Sequence, residues 1–203
     1  MIKVALTGPV ASGKSTVASL LREAGLPVID SDMVARQAVA PGKPAWQVLR
    51  QNFGPQFFKP DGSLDRPALA RHVFTRPQAR RKLEQLLHPW IARELQELVA
   101  RLQSRHEPLV VVEIPLLFEL GLEKSYDKVI VVRADEPCRQ QRLARRDSRA
   151  PDEAAGILAA QEIWRQKAAR GDFVVDNSGS LSATRSQVKK IIGELRILLD
   201  KTG

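Results

Sequence analysis

Residues Ile2-Lys3-Val4-Ala5-Leu6-Thr7-Gly8-Pro9-Val10-Ala11-Ser12-Gly13-Lys14-Ser15-Thr16 decide the fold. Ile2 to Leu6 is a short apolar run that reads as a buried strand, and Ser15 to Ala24 has the spacing of an amphipathic helix closed by Gly25 and Pro27. Between them, Gly8 to Ser15 satisfies G-x-x-x-x-G-K-[ST], in the strand-then-helix context that this pattern requires. A β- and γ-phosphate pair presents many oxygens at once. Successive backbone N–H groups leading into a helix N-terminus meet those oxygens with the right dipole sign. Gly8 and Gly13 let the chain turn tightly, and Gly13 lets it come close to the phosphates. Lys14 is placed to reach the β- and γ-phosphates, and the Ser15 hydroxyl to ligate Mg²⁺. The stretch therefore predicts nucleotide binding by Gly8, Ala11, Ser12, Gly13, Lys14, Ser15 and Thr16.

Working outward, further Val- and Ile-rich runs occur at Pro27 to Ile29, Leu109 to Ile114, Lys128 to Val132 and Phe173 to Val175. They show little polar alternation, as expected of strands covered on both faces. Helix patterns fill the gaps at Glu136 to Asp147, Asp152 to Ala169 and Ser182 to Leu199. The last carries Val188, Ile191, Ile192, Leu195 and Leu198 at helical spacing. This alternation predicts an α/β fold, a parallel five-stranded sheet with helices on both faces. The long segment between the second and third strands has helix pattern and no strand signal, so it reads as an inserted helical subdomain. It contains a Pro60-Asp61-Gly62 turn and a Leu64/Leu69/Val73/Phe74 face. It also contains His88-Pro89, where the proline is expected to end or kink a helix.

The chain has 203 residues, 43% of them apolar, enough for one globular domain with a sizeable core. A single cysteine, Cys138, excludes an intrachain disulfide framework and points to a reducing compartment. The strand pattern starts directly after Met1, and no apolar run approaches a membrane span, so a cytoplasmic protein without membrane association is expected. Lys and Arg number 32 against 23 Asp and Glu, a formal charge of +9 that calls for anionic partners. Aromatic residues make up 5%, few for a platform that stacks the bases of single strands, and composition leaves nucleic acid and phosphorylated small molecules on an equal footing as partners.

Ile29-Asp30-Ser31-Asp32 places carboxylates where the second strand ends, at the edge along which open α/β sheets bind ligands. Asp32 suits a base that orients an acceptor hydroxyl and takes its proton, while either aspartate also suits a helix N-cap. Arg139, Arg142, Arg145, Arg146 and Arg149 crowd the segment after the fourth strand, with Arg142 and Arg146 at i,i+4 on one face. Such a helix is either a solvated basic face or a lid whose arginines clamp a transferring phosphoryl group, and its place after the fourth strand favours the lid. Glu113 ends Val110-Val111-Val112-Glu113, a pattern able to hold Mg²⁺ through water but common and unspecific. His72, His88 and His106 have no metal-ligand spacing.

Taken together, LTGPVASGKSTVA, VIDSDMVARQ, FGPQFFKPDGSLDRPAL, LHPWI, PLLFE, QRLARRD and AAQ followed by DFVVDNSG resemble the dephospho-CoA kinase family, in order and over nearly the whole chain. The resemblance implies a P-loop NTPase core at 1–35, 108–138 and 158–203 within a single domain of 1–203. It also implies a helical substrate subdomain at 36–107 and a helical lid at 139–157. It implies ATP as co-substrate, Mg²⁺ as cofactor and phosphorylation of the ribose 3′-hydroxyl of dephospho-CoA. Residue by residue, it makes Asp32 the proposed base, Arg142 and Arg146 the lid arginines, His88 part of the substrate site and Asn177 part of the adenine end of the ATP site. The partners it implies are dephospho-CoA and ATP, with neither nucleic acid nor membrane; the oligomeric state stays open, with a monomer assumed. Many relatives carry glycine at the positions of Pro9 and Ala11 and aspartate at that of Glu113, so this loop is stiffer and the role of Glu113 is open. The competing readings are a nucleoside or nucleoside monophosphate kinase and, from another class, a non-enzymatic nucleotide- or nucleic-acid-binding protein.

Overall fold

The computed structural model describes residues 1–147 and 168–202, which form two compact units, Met1–Ile29 with Arg105 onward, and Asp30–Ser104. The expected helix at Asp152 to Ala169 lies outside the described residues except for its last two positions. Arg149, the AAQ stretch and the distal part of the expected lid also lie outside them.

In the first unit, β1 (Ile2–Thr7), β2 (Val28–Asp30), β3 (Leu109–Glu113), β4 (Lys128–Arg133) and β5 (Phe173–Asp176) form one sheet in the order β2-β3-β1-β4-β5. Pairing is parallel, with Val4 opposite Val111 and Lys128, and Val131 opposite Val174. Four strands run one residue past the apolar runs at their carboxyl ends, to Thr7, Asp30, Arg133 and Asp176, because the ladder bonds the backbone whatever the side chain, while β3 stops at Glu113, one residue short of its run. Between β1 and β2 runs α1 (Lys14–Glu23), and after β5 comes α7 (Leu181–Thr202). Val17 and Leu21 of α1 meet Val188, Ile191, Ile192 and Leu195 of α7 over Val4, Leu6, Val111, Ile130 and Val132. Alternate residues Ala5, Val110, Val112, Val129 and Val131 are buried as well, so the sheet is covered on both faces. Fully burying one such side chain contributes about 1.5–3 kcal/mol. Helix α6 (Glu136–Asp147) follows β4 and begins at the Asp135 cap, whose Oδ1 accepts from the Cys138 amide at 2.9 Å.

The second unit contains α2 (Ser31–Ala38), α3 (Pro44–Phe53), α4 (Arg66–Phe74) and α5 (Pro77–Ser104). Its core is Val39, Ala45, Leu49, Phe57 and Leu69, against which Leu64, Val73, Leu83, Leu87 and Trp90 pack. The Pro60-Asp61-Gly62 turn closes through the Gly62 amide donating to Lys59 O, with one isolated bridge between Phe58 and Leu64. Phe74, expected on the apolar face, is 88% exposed. It stands five residues beyond Leu69, about 140° round the helix at 3.6 residues per turn, so it points away from the stripe.

Pro89 does not end its helix. Helix α5 runs unbroken from Pro77 to Ser104 with Pro89 inside it. Leu83 and Leu87 before the proline and Trp90 after it all pack on the unit's core, and tertiary packing on both sides holds the segment helical despite the missing N–H. Replacing Pro89 with Ala restores that donor and removes the ring, so Pro89→Ala is expected to stabilise the chain by about 1–3 kcal/mol in urea unfolding. Unchanged or lower stability would show that the proline ring itself packs productively.

Candidate functional site

The loop Gly8 to Gly13 connects β1 to α1 at the carboxyl end of the central strand, where the order of the sheet reverses. The carbonyls of Val10, Ala11 and Ser12 are held by side chains of α6 and by Asn177. Arg139 Nε donates to Val10 O at 2.9 Å, and Arg142 Nη1 donates to Ala11 O at 3.2 Å and Ser12 O at 3.1 Å. Asn177 Nδ2 donates to Ser12 O at 2.9 Å, and Arg142 Nη2 to Asn177 O at 2.7 Å. In a planar peptide the C=O of one residue and the N–H of the next point opposite ways, so anchoring the Val10 and Ser12 carbonyls turns the Ala11 and Gly13 amides inward. A loop with donors turned inward, leading into the N-terminus of α1, is an anion cradle.

Two loop residues have left-handed backbones, Ala11 at φ 61° and Gly13 at φ 89°. Glycine is needed at 13 for a second reason: a Cβ there would lie 2.0 Å from Asn177 Nδ2. Ser12 is fully buried, and its Oγ has no hydrogen-bond partner among the described residues. Lys14 Nζ donates to Gly8 O at 2.8 Å and Pro9 O at 3.1 Å, folding its charge across the loop. Ser15 is exposed on the first turn of α1, and the Thr16 amide donates to Gly13 O at 3.0 Å. Among the described residues no three or more His, Cys, Asp or Glu side chains form a metal cluster. The Ser15 hydroxyl beside the cradle is an oxygen ligand of the kind that Mg²⁺ takes together with phosphate oxygens and water.

Beside the loop lies a cavity of about 580 Å³ between the carboxyl ends of β4 and β5 and the start of α6, with Pro9, Arg133, Asp135, Asp176 and Ser178 in its wall. Hydrogen bonds from the Cys138 side chain and amide lower the Asp135 carboxyl pKa, and the same carboxylate raises that of the thiol. Burial pushes the Asp176 carboxyl up, but Ser178 and Arg133 outweigh it and hold the group below its ordinary range. Burial lowers the pKa of the Arg139 guanidinium, with Glu136 opposing.

The remaining expected site residues divide by unit. Arg142, expected over the phosphates, instead faces the loop's carbonyl side, and Arg146 lies one turn further along α6. The side chain of Asn177, expected at the adenine end, is buried and turned to the back of the loop. Glu113 stands opposite Leu6 at the end of β3. Asp32 and His88 belong to the second unit and are exposed on α2 and α5. Asp30 is the cap of α2, its Oδ1 accepting from the amides of Asp32 at 2.8 Å and Met33 at 3.1 Å, which leaves capping to Asp30 and the Asp32 carboxylate in solvent. The sequence does not signal the anchoring by Arg139 or the burial of Thr184, whose Oγ1 donates to Asn177 Oδ1 at 2.9 Å. Only the i,i+3 spacing of Arg139 and Arg142, which puts them on one face, hinted at the former.

Sheet order, phosphate loop and adjoining cavity define a P-loop kinase fold. A profile of the dephospho-CoA kinase family matches residues 2–183. A dephospho-CoA kinase from Anaeromyxobacter dehalogenans is 45% identical over 193 residues, 95% of this chain and 92% of that one. A crystal structure of a Thermus thermophilus protein superposes with a TM-score of 0.81 at 38% identity, covering 96% of this chain and 97% of that one. A dephospho-CoA kinase from Campylobacter jejuni gives 0.73 at 26% identity, covering 95% and 96%. The chain belongs to the dephospho-CoA kinase family, ATP-dependent kinases acting on a hydroxyl group.

Two outcomes are expected from this geometry. Ala11 pays a left-handed penalty that glycine does not, so Ala11→Gly should raise the urea midpoint, by up to about 1 kcal/mol in stability. Because the Asp176 carboxyl pKa is lowered on folding, its stabilisation is complete above the ordinary carboxylate value and fades as pH falls through the lowered one. Between about pH 5 and pH 3, the wild-type chain should thus lose more urea stability than Asp176→Asn. Equal losses would remove Asp176 from the acid response.

Proposed function

We propose that the chain transfers the γ-phosphoryl group of ATP to the ribose 3′-hydroxyl of dephospho-CoA. The observation that carries this reading is the anchored loop within a chain of this family, a preset cradle for the β- and γ-phosphates. Lys14 leaves the Gly8 and Pro9 carbonyls for the phosphate oxygens and follows the charge as it moves to the leaving diphosphate. The amides of Ala11 and Gly13 donate to the same oxygens. The Ser15 hydroxyl would hold Mg²⁺, which would supply charge neutralisation to the phosphates when bound. The Asp32 carboxylate accepts the proton of the 3′-hydroxyl as the new O–P bond forms and the bond from the γ-phosphorus to the β-bridging oxygen breaks. Arg142 adds its charge from behind the loop, and Arg146 meets the transferring group.

The cavity beside the loop takes the adenine of ATP, with Asp176 and Ser178 at its edge, and the helical unit carrying His88 receives the pantetheine-bearing acceptor. The cytoplasm is the compartment that fits such a reaction, and no helix among the described residues is long and apolar enough to cross a membrane.

Incubation with dephospho-CoA, ATP and Mg²⁺ is expected to yield 3′-phosphorylated product, and a panel of nucleosides and nucleoside monophosphates no comparable turnover. Turnover of a nucleoside in preference would replace the acceptor. Lys14→Ala and Asp32→Asn should each lower kcat by about 10²-fold or more while leaving the circular dichroism and melting temperature near wild type. A fully active Asp32→Asn would remove Asp32 as the base.

A further inference from the structure

Thr184 lies on the first turn of α7, fully buried, in a helix that no part of the proposed reaction uses. Its Oγ1 is 2.9 Å from Asn177 Oδ1 and 3.3 Å from Ser180 O, and it has one proton to give. The choice is forced by what lies beyond. Ser12 O is an acceptor, so the Asn177 atom 2.9 Å from it must be the amide nitrogen. The other end of that amide is then its oxygen, and it meets Thr184 as an acceptor. Thr184 must therefore donate to Asn177 rather than back to Ser180. The result is a directed relay: Thr184 O–H to Asn177 Oδ1, Asn177 Nδ2–H to Ser12 O, and, across a planar peptide, the Gly13 N–H turned into the loop.

We infer that Thr184 is a positioning residue for ATP: acting through Asn177, it sets the direction of the Gly13 amide in the phosphate loop. Without its proton, nothing distinguishes the two ends of the Asn177 amide on the α7 side. The flipped amide would set oxygen against the Ser12 carbonyl and loosen that peptide. Ser12, Asn177 and Thr184 are all buried, so water does not replace the missing bond. The missing Cβ at Gly13 belongs to the same device, because any larger residue there would displace Asn177 Nδ2.

This inference rests on the loop being the ATP phosphate site, and the test separates the two. ATP affinity is measured by calorimetry on the full chain, together with KM for ATP and for dephospho-CoA. Thr184→Val keeps the shape and removes the proton; Thr184→Ser keeps the proton. Thr184→Val is expected to weaken ATP binding and raise KM for ATP by about tenfold while KM for dephospho-CoA holds, and Thr184→Ser to stay within about twofold of wild type. Wild-type ATP affinity in Thr184→Val, or equal weakening in both variants, overturns the relay. If the wild-type chain itself does not bind ATP, the reading of the loop fails instead. Should Thr184→Val not fold, Asn177→Asp carries the test, since it sets an oxygen against Ser12 O. It should also weaken ATP binding about tenfold or more, and wild-type affinity would overturn the proposal.

Discussion

A loop that offers its amides to phosphate must send its carbonyls somewhere, and in this fold that obligation organises everything around it. A peptide plane has two poles, and a cradle of donors on one side means a row of acceptors on the other. Left unpaired in a buried place, each such carbonyl costs about 1–3 kcal/mol and pulls the loop toward another geometry. Here Arg139 and Arg142 of α6 and Asn177 after β5 receive those of Val10, Ala11 and Ser12, and Lys14 those of Gly8 and Pro9. The guanidinium of Arg142 also reaches Asn177 O, so the segments following β4 and β5 are tied together at the point where both meet the loop. The positive charge that holds the loop also raises the potential felt inside it, so one pair of arginines serves geometry and electrostatics together.

The basic excess of the chain is accordingly of two kinds. Some cations are structural partners of carbonyls, Arg139 among them, buried although the side chain is charged. Others lie on exposed helical surface, such as Arg80 paired with Glu84 and Arg93 with Glu97, where screening makes each pair worth little. Net charge alone cannot tell one kind from the other, and the +9 gave only the sign of the expected partners.

What was readable from the sequence follows the same physical line. The Val- and Ile-rich runs located every strand of the sheet, because residues covered on both faces leave no other composition open. The loop was readable because a phosphate-binding turn restricts four positions within eight consecutive residues, Gly8, Gly13, Lys14 and Ser15. What holds that loop from behind was not, since Asn177 reaches it from far along the chain, brought there by strand order rather than by spacing. The sequence marks Asn177 and Arg142 as site residues, but which way their side chains turn depends on neighbours that no local pattern names. Pro89 and Phe74 mislead for opposite reasons: packing overrides the propensity of one, and helical phase carries the other off the apolar stripe.

The sheet that carries this site ends on two short strands, β2 of three residues and β5 of four. On the β2 side, Pro27 has no N–H to offer, and the Val28 carbonyl is approached by Arg22 at 3.5 Å. On the β5 side, Asp172 and Asp176 flank Val174, and Lys128 and Arg133 pair with those carboxylates. Among the described residues neither margin offers a long, bare run of backbone on which a foreign strand could grow, and charge or proline guards what remains. A parallel sheet is slow to assemble, because its contacts are distant in sequence and its core strands are sticky until covered. Blunt margins make that interval less hazardous, so the same strand lengths that frame the site protect the nascent chain from edge-to-edge aggregation.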